Sequence, residues 1–419
     1  MSRSTVQEFL ASGTHVSPGE VLVPTEVGDP VRGPLPCPAA PLAGGTLERK
    51  GKRVSYGPVG HCADPADDNG GAIIFVATCA QRDGSTAAVA AAASPADRVA
   101  VAAARMAVEE WSAVLGTRRL LAAGSPWCDG AARALDEARR AVNGRTAVHV
   151  YGDLAADPDA IAELAGQGAV FVTSLEEVPD AGTVVFPAHG VPAAVHAAAA
   201  ARGLEVIDAT CPLVTWAHGE ARKFAERGDD VVLIGQPGHA AVAGLTGQAP
   251  AKTTMVSSSS GTATLRVPDP RRVSYLLQPG IPVEDSAPVT AALRSRFPAL
   301  HGPNPDGFCY AASDRAQTVR AIASACDTML VLGAADAPDS RQVCGIARDG
   351  GTRAHIVSEA GDIVPAMLAG AGVIGLAEST SARPALAGQV TEALSGLGPL
   401  SVTRRQVSTE VVGAPARRP

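Results

Sequence analysis

Short apolar runs recur along the chain, and from Arg118 onward they alternate with stretches whose apolar residues return every three or four positions. The runs Leu120–Ala123, Ala147–Tyr151, Val170–Val172, Thr183–Phe186, Glu205–Ile207, Val231–Ile234, Val273–Leu277, Met329–Leu332, His355–Val357 and Val373–Leu376 predict buried strands. Between them, Leu213–Arg227 sets Leu213, Ala217, Ala221 and Phe224 at helical spacing, and Asp314–Cys326 sets Val319, Ile322, Ala323 and Cys326 on one stripe. Strands alternating with helices predict an α/β architecture with mostly parallel sheets. A weak repetition runs through it. Leu120–Ala123 leads to Cys128, Glu205–Ile207 to Cys211 and Asp306–Phe308 to Cys309, each cysteine just ahead of a helical pattern. This reads as three similar small α/β units, near residues 118–210, 211–307 and 308–395.

The chain before Arg118 lacks that regularity. Residues 1–70 are rich in Gly and Pro and read as irregular, with Val21–Val23 as their one candidate strand. Ala72–Thr78 predicts a buried strand. Ala96–Leu115 predicts a helix burying Val99, Ala103, Met106, Ala107 and Val114. Residues 1–117 therefore read as a partly irregular N-terminal extension, its strand and helix forming a layer on the first unit, and residues 396–419 read as a tail.

Charge and composition narrow the function. Thirty-five basic against 42 acidic residues give a net charge of −7, and aromatics make up 3%. A nucleic-acid binder usually carries a basic face and stacking aromatics, so that class is set aside. No long apolar segment free of charge predicts a membrane span. The first ten residues hold no apolar core of a signal peptide, so a cytoplasmic protein is expected. Eight cysteines in 419 residues are too few for a disulfide scaffold. No Gly-rich phosphate motif signals a dinucleotide or ATP.

The candidate chemistry lies in cysteines and histidines. A helix N-terminus favours a thiolate, and Pro212 after Cys211 suits a first helical position. Cys128, Cys211 and Cys309 share that setting. On position alone they are either three thiolate ligands of an iron–sulfur cluster or ordinary buried cysteines. Cys326 and Cys344 read as core, and Cys79 as core or a reactive thiol. Cys37 and Cys62 lie in the extension; His61 adjoins Cys62, but no second pair at zinc spacing appears. His189 directly follows the strand Thr183–Phe186, and His239 directly follows Val231–Ile234. Strand C-termini are where open α/β sheets bind ligands.

Asp208-Ala209-Thr210-Cys211-Pro212-Leu213-Val214-Thr215 is the most distinctive segment. With Pro187-Ala188-His189-Gly190-Val191, Ile234-Gly235-Gln236-Pro237-Gly238-His239 and Phe308-Cys309-Tyr310-Ala311, it closely resembles the 4-hydroxy-3-methylbut-2-enyl diphosphate reductase (IspH/LytB) family. Trp127-Cys128-Asp129-Gly130, with Arg133 and Ala134, matches more loosely. The resemblance runs from about Arg118 to Leu394. It implies three α/β units around a central [4Fe–4S] cluster, held by Cys128, Cys211 and Cys309, with one iron free of protein ligands to bind the substrate hydroxyl. It implies reductive dehydroxylation of an allylic diphosphate to isopentenyl and dimethylallyl diphosphate, the last step of the methylerythritol phosphate pathway, with ferredoxin or flavodoxin as electron donor. His189 and His239 match diphosphate-binding histidines, and Ser381 a serine of the same pocket.

Departures cluster on the substrate side. The family's proton-delivering glutamate falls on Ala241, leaving the catalytic acid unassigned; water or another acid, such as Asp336 or Glu378, would have to deliver the proton. A further family histidine falls on Ala156. The family's Gln-Thr-Thr is Gln278-Pro279-Gly280, and its Ser-Ser-Asn falls on Ala337-Pro338-Asp339, placing a carboxylate where a diphosphate would sit. A shift of one residue brings in Ser340 and Arg341 instead. Two alternatives to the family reaction therefore stand: a paralogue reducing a different allylic alcohol, and a non-catalytic cluster-bearing redox sensor.

Overall fold

A computed structural model describes residues 5–63, 71–143, 147–152, 154 and 158–409. In chain order, the N-terminal part holds β1 (Gln7–Ala11), β2 (Glu20–Asp29), β3 (Gly33–Pro36), α1 (Ala40–Arg49), β4 (Arg53–Ala63), β5 (Ala72–Ala80), β6 (Thr86–Ala93) and α2 (Arg98–Ser112). Then come β7 (Arg118–Ala123), α3 (Asp129–Val142), β8 (Val148–Tyr151), α4 (Pro158–Gly166), β9 (Ala169–Val172), β10 (Thr183–Phe186), α5 (Ala193–Ala201) and β11 (Glu205–Asp208). The middle holds α6 (Pro212–Glu226), β12 (Asp230–Ile234), α7 (Ala240–Thr246), β13 (Thr253–Val256), α8 (Ser259–Thr264), β14 (Val273–Leu277) and α9 (Val283–Arg296). The C-terminal part holds α10 (Ala311–Ala323), β15 (Thr328–Leu332), α11 (Pro338–Asp349), β16 (Arg353–Val357), α12 (Pro365–Leu368), β17 (Val373–Glu378), α13 (Leu386–Ser395) and β18 (Leu400–Arg405). Two compact bodies result: Met1–Gly124 with Thr318–Arg405, and Ser125–Gln317 with Gln406–Pro419.

Three sheets are wholly parallel, as the alternating pattern predicts. Their orders are β11-β10-β8-β9, β13-β12-β14 and β16-β15-β17-β7-β18. The N-terminal sheet is mixed, in the order β3-β2-β4-β1-β5-β6, and pairing of β2 with β6 closes five of its strands into a barrel. Strand β6 is nearly all alanine because both of its faces are covered. Ala88, Ala90 and Ala92 fill the barrel interior, and Val89, Ala91 and Ala93 meet the helices outside. Residues small enough to let helix and sheet approach closely leave no room for larger side chains on either face.

The barrel corrects the reading of residues 1–70 as irregular. Its strands carry Gly and Pro in positions that conceal period-2 alternation, and β2 is interrupted by register shifts beside Pro24 and Val27. Helix α2 is also turned from the predicted face. Val99 is 67% and Met106 47% exposed, while Ala100, Ala103, Ala104, Ala107, Val108 and Trp111 are buried. Close contact with an alanine strand selects the alanine stripe and a single large anchor. Trp111 donates from its indole nitrogen to Thr46 Oγ1 at 3.1 Å, which satisfies the one polar atom the ring carries inside.

Three further corrections follow from β7. It pairs with β17 and β18, so the strand read as opening the first unit lies in the sheet of the third. Helices α1 and α2 pack with Leu120, Leu330, Leu332, Ile374 and Leu376 on one face of that sheet, and α10 and α11 cover Leu121, Met329 and Val331 on the other. The N-terminal layer thus rests on the third sheet rather than the first. Leu400–Arg405, read as tail, is the edge strand β18.

Candidate functional site

The second body carries two of the parallel sheets, and Cys128, Cys211 and Cys309 in it sit just ahead of helices. Cys128 is the N-cap of α3 and Cys211 the N-cap of α6, with Pro212 at the first helical position. Their carbonyls accept the first helical hydrogen bonds, from Ala132 at 3.0 Å and Thr215 at 2.9 Å. Cys309 stands two residues before α10, and the amides of Ala311 and Gly280 donate to its sulfur. Gly280 adopts φ +93°, a left-handed conformation that a side chain disfavours.

The three thiols converge. Burial pushes the Cys309 thiol up, and the nearby sulfurs of Cys128 and Cys211 push it the same way, against the two amides. The sequence argument expected helix N-termini to favour thiolates; at Cys309 desolvation outweighs that pull. The bare Cα of Gly130 makes the space. A methyl group there would stand 2.7 Å from Cys211 Sγ and 3.7 Å from Cys128 Sγ. Arg133, one turn along α3, donates to the carbonyls of Ala209 and Thr210 and ties this helix to the strand leading to Cys211.

Among the described residues, no three His, Cys, Asp or Glu groups close to the spacing one metal ion needs. Thiolates bound to separate irons of a cluster stand farther apart than ligands sharing one ion. Three half-buried thiols around a glycine-lined gap, with two amides aimed at the Cys309 sulfur, fit such a cluster.

His189 and His239 come together, their rings edge to face with centroids 4.9 Å apart. His239 caps α7: its Nδ1 accepts from the Ala241 amide at 3.1 Å, so the neutral ring carries its proton on Nε2. Burial pushes its pKa down. The Cys211 amide donates to the Ala188 carbonyl at 3.0 Å, which fixes the His189 turn against the cysteine segment. Gln278, 2% exposed, accepts from the Gln236 amide at 2.7 Å and so organises the loop leading to His239. Ala241 is fully buried in the first turn of α7, and its methyl supplies no acid. Ala156 lies outside the described residues, as do the side chains of His61 and Cys62.

Ser381 belongs to the first body, at the C-terminal ends of β15 and β17. Its hydroxyl accepts from the Ala334 amide at 3.0 Å and lies 2.8 Å from Ser379 Oγ and 3.2 Å from Ser340 Oγ. The three hydroxyls press on Gly333, where a methyl group would stand 1.9 Å from Ser379 Oγ. Ser340 joins the serine cluster, whereas Arg341 is exposed. The Asp339 carboxylate accepts from Thr380 through both its amide, at 2.6 Å, and its hydroxyl, at 2.9 Å. Ser379 and Thr380 were missed in sequence; a Ser-Thr-Ser run directly after a buried strand was the available signal. Glu378 ends β17, its carboxyl pushed up by burial against the pull of Arg404.

Residues 120–395 match the family model described as LytB protein. The chain is 39% identical over 298 residues to 4-hydroxy-3-methylbut-2-enyl diphosphate reductase 2 of Mycobacterium bovis, covering 70% of this chain and 91% of that one. It is 39% identical over 281 residues to the reductase of the same name from Acidithiobacillus ferrooxidans, covering 67% and 89%. In fold it is similar to the solved E-1-hydroxy-2-methyl-but-2-enyl-4-diphosphate reductase of Plasmodium falciparum. That match has a TM-score of 0.62 at 22% identity and covers 72% of this chain and 96% of that one.

Proposed function

The chain belongs to the LytB family of reductases, and on that premise we propose that it is a [4Fe–4S] oxidoreductase that removes the hydroxyl of 4-hydroxy-3-methylbut-2-enyl diphosphate. The products are isopentenyl and dimethylallyl diphosphate. The observation that carries this reading is the convergence of Cys128, Cys211 and Cys309 in one body that also pairs His189 with His239. Cys128, Cys211 and Cys309 would hold the cluster, which supplies, when bound, the electrons for breaking the allylic C–O bond.

The chain's own residues do the rest. The amides of Ala311 and Gly280 stabilise charge on the Cys309 sulfur. His239, its Nδ1 occupied by the Ala241 amide, presents an Nε2–H donor that suits a phosphate oxygen, and His189 flanks it at ring-contact distance. In the first body, the Ser340, Ser379 and Ser381 hydroxyls are neutral groups able to donate to an anion, and Thr380 holds the Asp339 charge in two hydrogen bonds. With Ala241 in place of an acid and the His239 ring neutral, the proton that lets the hydroxide leave as water comes from solvent, and a second solvent proton completes the new C–H bond. No helix of the described residues is long and apolar enough to cross a membrane. A small ferredoxin or flavodoxin in the cytoplasm is the electron donor that suits this chemistry.

The test is iron and acid-labile sulfide content after anaerobic reconstitution, for the native chain and Cys211→Ala. Full loading of the native chain and loss in the variant are expected. Equal loading of both would overturn the ligand assignment.

A further inference from the structure

Beneath the His189–His239 pair lies a third imidazole that the sequence analysis left aside. His218 is on α6, two helical turns after Cys211, and is 6% exposed. Its Nε2 is buried with no hydrogen-bond partner. A leucine would fill such a place without the cost of stranding a polar atom. The ring meets main chain instead. A methyl group on Gly190 would stand 2.6 Å from its Cε1 and 3.2 Å from its Nε2; one on Gly244 would stand 3.2 Å from its Nε2.

Those two glycines belong to the elements that carry the paired histidines. Gly190 directly follows His189, at φ +69°. Gly244 lies one turn into α7, the helix that His239 caps, and the His189 carbonyl would also stand 3.2 Å from a methyl group there. Two glycines distant in sequence thus leave one ring-shaped space, filled by His218, between the His189 turn and the His239 helix. On the reading that this pair binds the substrate diphosphate, we propose that His218 is a positioning residue: its ring is the spacer that sets the separation of His189 and His239. It touches neither the substrate nor the cysteines. It acts through the Gly190 and Gly244 backbones.

The experiment compares His218→Ala, His218→Gln and Gly244→Ala in the full, cluster-loaded chain. Gly244→Ala perturbs the spacer from the opposite side and keeps the test valid if His218→Ala folds poorly. The first readout is the rate of carbethoxylation at His189 and at His239, followed by peptide mass spectrometry. Both rates are expected to change severalfold in His218→Ala and Gly244→Ala, and to return towards the native values in His218→Gln. The second readout is steady-state turnover. KM is expected to rise about ten- to a hundredfold, the scale of a misplaced binding group, while kcat and iron content change little. Unchanged carbethoxylation in both alanine variants would overturn the proposal, as would a parallel loss of iron, kcat and KM that Gln does not rescue. Protection of His189 and His239 by substrate in the native chain tests the diphosphate reading separately. Its absence would sink that reading, while the rates alone still decide whether His218 is the spacer.

Discussion

Alanine in place of Gly130 measures how tightly α3 is fitted to the cysteine site. Gly130 is in the first turn of α3 and its φ is not among the positive ones, so the backbone accepts alanine. Helix propensity alone would favour the change by up to about 1 kcal/mol. The new methyl group, however, would stand 2.7 Å from Cys211 Sγ and 3.0 Å from Cys211 Cβ, well inside the usual contact distance of about 3.5–4 Å. Cys211 has little freedom to retreat. Its amide is bound to the Ala188 carbonyl and its carbonyl to the Thr215 amide. Overpacking of this kind costs about 1–3 kcal/mol, so the net change in folding stability without the cluster is about 0–2 kcal/mol against alanine. The larger effect falls on the sulfurs, because Cys211 must rotate or α3 must shift away from Cys128. The assay pairs urea unfolding of the metal-free chain with iron, sulfide and the electron paramagnetic resonance spectrum of the reconstituted, reduced chain. A small loss of stability with a severalfold loss of iron is expected. Full iron with the native spectrum would refute the claim that Gly130 is bare to make room for the thiols.

Two other predictions follow from the same geometry. Burial, with Arg222 and His196 adding to it, holds the His218 ring neutral down to about pH 4 instead of 6.5. The folded chain therefore binds fewer protons than the unfolded one in that window; the associated stability is complete above pH 6.5 and lost as pH falls towards 4. It is worth at most about 3–4 kcal/mol, at about 1.4 kcal/mol per pH unit. Urea midpoints of the native chain should fall more steeply between those pH values than those of His218→Leu; equal slopes would contradict the buried neutral ring. Thr46→Val strands the buried Trp111 indole nitrogen and should cost about 1–3 kcal/mol in denaturant unfolding, with iron content unchanged. A neutral result would mean that the ring finds another acceptor.

Most of the parallel strands were legible because they are short apolar runs between helical patterns, and Thr183–Phe186 and Val273–Leu277 are strands to the residue, whereas β13 and β18, with polar and exposed positions, were not read as strands. The sheet to which a strand belongs was not legible. Leu120 and Leu121 read the same in either sheet, and only the packing of alternate faces against α2 and α10 places β7 beside β17. Alanine defeated the reading of α2 and β6, since its burial depends on how closely a partner approaches and not on its own apolar area. The cysteines and the His189–His239 pair were visible at strand ends. Ser381 was visible in sequence, but counting along a gap-prone segment left Asp339 and Ser340 as alternatives and gave no sign of Ser379, because what joins them is a set of hydrogen bonds to the turn after β17. His218 carried no signal beyond its place two turns from Cys211.

Turnover tests the central claim most directly. The anaerobically reconstituted chain, with its iron and sulfide verified, would be given reduced viologen with and without 4-hydroxy-3-methylbut-2-enyl diphosphate. Viologen oxidation that depends on the substrate and yields isopentenyl and dimethylallyl diphosphate is the predicted result, slowed by about 10²–10⁴ if no group replaces the acid absent at Ala241. A fully loaded chain that oxidises no viologen beyond the substrate-free rate would contradict the proposed reaction.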